Sequence, residues 1–171
     1  MNGGTRRQAT RERIIAAEVM ARVYLEAWPE EAFGIFIEEI GFGLRTIGSS
    51  LIQPETGRYI LFKRDASGRL VERYDAVARD GFELGRVTVW SPGARLAFTW
   101  REPDWPEGAS TDVDTRFEPI FGGTLVRVEH SGLERVGPSA SRVGAGYRAA
   151  WTAALAWVAR RARARGAAAT A

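Results

Sequence analysis

One histidine, four tyrosines and a pair of closely spaced aspartates are the residues of this chain best suited to chemistry. His130 closes the stretch Val126-Arg-Val-Glu-His130. Alternate side chains of a strand share a face, so His130 points the same way as Val126 and Val128. At a cavity rim it would act as an acid, a base or a hydrogen-bond donor to a ligand. The simpler reading, adopted here, is a hydrogen-bonded structural histidine before the turn at Ser131-Gly132. Tyr59, Tyr74 and Tyr147 are candidates to orient a ligand carbonyl or hydroxyl, and Arg148 to meet a carboxylate. Asp112 and Asp114 flank Val113, so alternation sends both to the face opposite it, with no histidine beside them to complete a metal site. Gly41-Phe-Gly-Leu follows no strand and opens no phosphate loop. Ser49, Ser50, Ser131 and Ser141 lack a nucleophile-elbow setting, and one histidine leaves a triad little to work with. No catalytic residue, metal or cofactor is expected.

These residues sit on a chain of 171 residues, enough for one domain with its own core. There is no cysteine, so there is no disulfide and no thiolate metal site, which fits a reducing cytoplasm. No apolar run approaches the roughly 20 residues that span a bilayer, and Met1 to Arg13 leads into no signal-peptide core. The pI of 9.8 invites a nucleic-acid reading, but the charge is badly placed for one. Arg6, Arg7, Arg11 and Arg13, less Glu12, carry +3, and Arg160, Arg161, Arg163 and Arg165 carry +4; with a total of +3, residues 14–159 hold −4. A basic groove belongs in the fold rather than on its ends. No nucleic-acid partner is expected, and the arginine run reads as a solvated helix end, favoured by the helix dipole.

The elements follow from periodicity. Residues 1–13 read as a disordered lead, 14–165 as a single domain and 166–171 as a frayed tail. Ile14 to Glu26 is a strand with Val19, Ala21, Val23 and Leu25 on one face. Pro29, followed by Glu30 and Glu31, opens a short helix to about Ile40. The glycines at 41, 43 and 48 then predict a broken second helix or a loop. Six strands follow: Arg58–Arg64, Arg69–Arg79, Phe82–Trp90, Arg95–Arg101, Ser110–Glu118 and Thr124–His130. Tight turns mostly join them, so they form an antiparallel meander. Arg142–Arg165 is a long helix with Val143, Tyr147, Trp151, Ala154, Leu155 and Val158 on one stripe, and Gly166 reads as its stop. The sum is an α+β chain: a curved seven-stranded sheet gripping a C-terminal helix, with two short helices after the first strand.

Two blocks also resemble a known family. Gly85-Arg-Val-Thr-Val-Trp-Ser-Pro-Gly-Ala-Arg-Leu-Ala-Phe-Thr-Trp100 is similar to the "G-x-V … P … L-x-F-T-W" block of homologues of the heat-shock-protein-90 ATPase activator. Phe117-Glu-Pro119 and Gly122-Gly-Thr-Leu-Val-Arg-Val-Glu-His-Ser-Gly132 resemble its "F-E-P … G-G-T-x-V-x-V-x-H-x-G" block. The likeness spans about residues 17 to 160. It implies a START-like (SRPBCC, Bet v 1-like) helix-grip fold with a hydrophobic cavity between sheet and helix. It further implies an apolar ligand such as a lipid, sterol or polyketide, with no shared catalytic motif and no cofactor.

The expected pocket lining combines both lines of reasoning. Leu96, Phe98 and Trp100 share a face, as do Val113, Thr115 and Phe117, and Val126, Val128 and His130. Tyr147 and Trp151 stand opposite, and Tyr59 and Tyr74 lie on earlier strands. A mostly apolar cleft with few polar groups is the usual form of a small-molecule site. Two further readings stay open: a cyclase- or hydrolase-like enzyme using the same pocket, and an adaptor for a 90-kDa chaperone. Dimerisation through the sheet edge or the Trp105 loop is also open.

Overall fold

Val19 and Leu25 are buried, Ala21 and Val23 half-buried, and Met20, Arg22 and Tyr24 exposed, so the first strand (β1, Val19–Leu25) has one inner and one outer face. The computed structural model describes residues 18–45, 59–62, 69–73, 82–138 and 140–169. The other elements are α1 (Pro29–Arg45), β2 (Tyr59–Phe62), β3 (Arg69–Arg73), β4 (Glu83–Ser91), β5 (Arg95–Trp100), β6 (Thr111–Ile120), β7 (Gly123–Ser131) and α2 (Ala140–Ala169). The sheet order is β1-β7-β6-β5-β4-β3-β2, antiparallel throughout. The seven expected strands divide. Five of them, β1 and β4–β7, form the main ladder, and the short β2–β3 pair extends it beyond β4. The β6–β7 turn is tighter than the sequence suggested: Ile120 pairs with Gly123, leaving Phe121 and Gly122 as a two-residue loop, with Gly122 at φ 78.

Three expectations about the helices are corrected. The helix after β1 does not stop near Ile40 but runs through Gly41 and Gly43 to Arg45; residues 46–58 lie outside the described set. Gly43 explains the continuation. A Cβ there would lie 2.9 Å from the backbone of Ala154 on α2, so glycine lets the two helices touch. That contact offsets the roughly 1 kcal/mol that glycine costs inside a helix. Gly166 likewise fails to stop α2, which continues to Ala169 through an alanine run. At 30 residues, α2 is about 45 Å long. It buries Tyr147, Ala150, Trp151, Ala154, Leu155, Val158, Ala159 and Ala162.

The third correction concerns the arginine run. Two of its four members clamp α1 to α2 rather than only facing water. Glu39, 6% exposed, meets Arg161 at 3.2 Å and Arg165 at 2.9 Å, and Trp157 Nε1 donates to it at 3.2 Å. Arg165 also reaches Glu38 at 2.7 Å. Burial pushes the Glu39 carboxyl up, but the hydrogen bonds from Arg161, Trp157 and Arg165 outweigh it and hold the group below its ordinary range. Both arginines are about half exposed, so water screens part of this attraction. Glu39→Ala is expected to lower unfolding free energy by about 1–2 kcal/mol in urea titrations. An unchanged midpoint would show that the clamp carries no stability.

Candidate functional site

Strand pairing sets the site in rows. On the inner face Val19, His130, Val113 and Phe98 stand side by side, next to Ala21, Val128, Thr115 and Leu96. A third row joins Val23, Val126 and Phe117. Trp100, the last residue of β5, pairs with Thr111, the first of β6. The stripe of α2 places Tyr147 and Trp151 over this end of the sheet. The space between is filled by the rings themselves. Their centroids lie 4.5 Å apart for His130–Tyr147, 6.2 Å for His130–Trp151, 6.4 Å for Trp100–Tyr147 and 6.5 Å for Trp100–Trp151.

The polar atoms of this cluster form a closed chain of donors and acceptors. An indole N–H can only donate, so Trp151 Nε1 gives its hydrogen to His130 Nδ1 at 3.2 Å. That assignment leaves the histidine's hydrogen on Nε2, which donates to Thr111 Oγ1 at 2.7 Å. Thr111 in turn donates to the Trp100 carbonyl at 3.2 Å. Trp100 Nε1 donates to Tyr147 Oη at 2.8 Å, and Tyr147 donates to Glu102 Oε1. Trp105, from the loop after β5, sets its ring edge-on to Tyr147 at 6.3 Å. Burial depresses the His130 pKa to about 3, so its imidazole is neutral near pH 7 with both nitrogens engaged. Burial and the neighbouring Glu102 raise the Tyr147 hydroxyl well above its ordinary value. Near pH 7 both groups are therefore neutral, with their polar atoms held in this chain of hydrogen bonds.

Nine of the eleven candidate residues are therefore buried in the sheet–helix core: Phe98, Trp100, Val113, Thr115, Phe117, Val128, His130, Tyr147 and Trp151. They do not form one group. Phe117 sits away from the ring cluster, 5.1 Å from Phe33 and 5.6 Å from Phe36 of α1. Tyr59 opens β2 opposite Arg73, and Tyr74 lies outside the described residues. Arg148 is exposed. Thr111, Glu102 and Trp105 were missed. Strand register would have given Thr111, while the loop holding Glu102 and Trp105 has no period to read. A pocket of about 530 Å³ opens on the outer face of the sheet; of the candidates, only Val128 borders it.

An antiparallel sheet with a long C-terminal helix along its inner face defines an α+β protein, consistent with the helix-grip class. The chain belongs to the family of activator of Hsp90 ATPase homolog 1-like proteins, whose model matches residues 69–158. Protein MLL2253 from Mesorhizobium loti shares the fold at 18% identity and TM-score 0.58, over 84% of this chain and 94% of that one. Protein CV1439 from Chromobacterium violaceum does so at 18% identity and TM-score 0.55, over 84% and 96%. The anthrahydroquino-gamma-pyrone synthase Txn09 does so at 24% identity and TM-score 0.53, over 84% and 95%. Comparison with curated proteins gave no match. Among the described residues, no helix is long and apolar enough to cross a membrane.

Proposed function

We propose that this chain binds a hydrophobic small molecule, of lipid or polyketide type, between the inner face of the sheet and α2. The observation that carries the reading is Thr115. Its hydroxyl is buried at the centre of the inner face and has no hydrogen-bond partner among the described residues. An unpaired buried hydroxyl costs about 1–3 kcal/mol. A guest that sets a polar group against Thr115 removes that cost. Val113, Phe117, Leu96 and Val128 surround it in the strand rows, so the walls are apolar with one polar handle. The ring cluster has no spare hydrogen bond and forms the closed end of the site. The family's fold commonly serves ligand binding, and Txn09, a synthase by name, has the same fold.

An enzyme of cyclase or hydrolase type in the same place would need a proton carrier other than His130. Native mass spectrometry of the purified protein tests the binding reading. A retained adduct of a few hundred daltons is expected, the size a pocket of this kind encloses. Thr115→Val should keep the fold and weaken that adduct about tenfold, the effect of losing one hydrogen bond. No adduct, together with no saturable binding of an environment-sensitive apolar fluorophore, would overturn the proposal.

A further inference from the structure

Of the large apolar side chains that stand exposed among the described residues, four gather at one end of the sheet: Tyr24, Trp28, Ile120 and Phe121. Strand register and two hydrogen bonds bring them there. Ile120 pairs with Gly123 around the two-residue β6–β7 loop, and Phe121 is the first residue of that loop. Such loops usually open on Asn, Asp or Gly; here the apex is a phenylalanine whose side chain is fully exposed. Tyr24 donates its hydroxyl hydrogen to the Gly122 carbonyl at 2.7 Å, which ties the end of β1 to the hairpin tip. Thr124 Oγ1 donates to the Ala27 carbonyl at 2.7 Å, which fixes the chain next to Trp28, itself 73% exposed, against β7. These apolar groups are thus held in place while facing water, the mark of a surface that meets an apolar partner.

Area and shape narrow the choice of partner. With about 150–250 Å² for a whole aromatic side chain, the four residues offer about 500 Å² at these exposures. A stable dimer takes about 800 Å² from each partner, so a second copy set against this end falls short. Phe121 also protrudes clear of its neighbours. A bilayer interface accepts such side chains without matching their shape, and aromatic residues concentrate there. Charge selects the kind of bilayer. Glu26, Glu30 and Glu31 flank Trp28 and are exposed. The arginines of the outer face, Arg22, Arg127, Arg116 and Arg95, lie in one row level with Arg116, four residues or about 13 Å back from Ile120, and Asp114 and Glu118 balance part of it. Acids beside exposed rings suit headgroups that carry an ammonium outermost, because aromatic faces attract such cations as well. We infer that this end of the sheet docks on a zwitterionic lipid surface, of phosphatidylethanolamine or phosphatidylcholine, with Phe121 and Trp28 reaching the boundary between headgroups and acyl chains.

Co-sedimentation with vesicles of phosphatidylethanolamine and phosphatidylcholine, at about 0.1 M ionic strength, tests the docking. Saturable partitioning into the vesicle pellet is expected, whether or not a guest is bound, so the outcome is independent of the ligand reading above. Phe121→Ser should weaken partitioning about tenfold, the effect of withdrawing one aromatic ring from an apolar medium. Because Phe121 is fully exposed, this variant keeps the fold. Trp28→Ser should lose a similar factor. Met20→Ser is the control: Met20 is 69% exposed but sits four residues before Tyr24, about 13 Å back along β1. Its partitioning should stay within about twofold of the parent. Vesicles that contain phosphatidylglycerol should bind less well, because the acids beside Trp28 repel an anionic surface. No partitioning, equal losses in the Phe121 and Met20 variants, or binding as tight with phosphatidylglycerol present would overturn the docking. So would a dimer in sedimentation that Phe121→Ser abolishes, since a second copy would then cover this end.

Discussion

Trp151→Ala is expected to lower the free energy of unfolding by about 5 kcal/mol, enough to leave the chain marginally folded. Trp151 is 1% exposed and its ring fits among Trp100, His130 and the strands beneath. Truncating a buried tryptophan leaves a cavity and typically costs about 3–5 kcal/mol. The same change strips His130 Nδ1 of its donor, and an unsatisfied buried acceptor adds about 1–3 kcal/mol. Trp151→Phe separates the two effects. It keeps a six-membered aromatic ring in place but removes the fused pyrrole with its N–H, so a loss of about 2–3 kcal/mol is expected, smaller than in the alanine variant. Denaturant titration of both variants checks this. An alanine variant within about 1 kcal/mol of the parent would mean that the rings do not interlock as described.

That interlocking is where sequence reasoning reached its limit. The inner face itself was legible. Leu96, Phe98 and Trp100 alternate cleanly, Val126, Val128 and His130 do the same, and the structure buries all six. The helical stripe through Tyr147 and Trp151 was legible for the same reason, a period that one side chain cannot disturb. Whether two apolar faces touch or stand apart depends on ring orientation and on separations of an ångström or two. No periodicity encodes those quantities. Gly43 shows a second limit. Taken alone, a glycine predicts a helix break, because its cost is local; the contact with Ala154 that offsets it comes from 111 residues away. Glu39 with Arg165, and Arg22 beside Arg127 in the strand register, are also long-range facts. They become visible only when register and helix packing place them together. Thr111, by contrast, was readable in principle. Once Trp100 and Thr111 are paired across the β5–β6 loop, a hydroxyl beside His130 follows.

A second large effect should appear as acid sensitivity centred on His130. Burial lowers its pKa from 6.5 to about 3. Above pH 6.5 neither the folded nor the unfolded chain protonates it, and its contribution to stability is complete. Below pH 6.5 the unfolded chain takes up a proton that the folded chain refuses until about pH 3. Stability therefore falls as pH drops through this window, by about 1.4 kcal/mol per pH unit. Between pH 6.5 and 5 the expected loss is about 2 kcal/mol. Two carboxyls act lower in the range and in opposite senses. Glu39, held below its ordinary value, loses stabilisation as acid protonates it, whereas Glu129, held above it, gains. His130→Gln removes the imidazole and leaves both carboxyls, so the difference between parent and variant slopes isolates the histidine. Urea titrations at pH 7, 6 and 5 should show a falling parent and a flatter variant, even though the variant starts lower for want of the Trp151 and Thr111 hydrogen bonds. Parallel slopes would place a hydrated, titrating histidine at position 130 and reopen it as a proton carrier. If the slopes diverge, the cause is an imidazole sealed between Trp151, Tyr147 and Thr111: with its Nε2–H given to Thr111 and its Nδ1 lone pair taken by Trp151, it refuses a second proton until about pH 3.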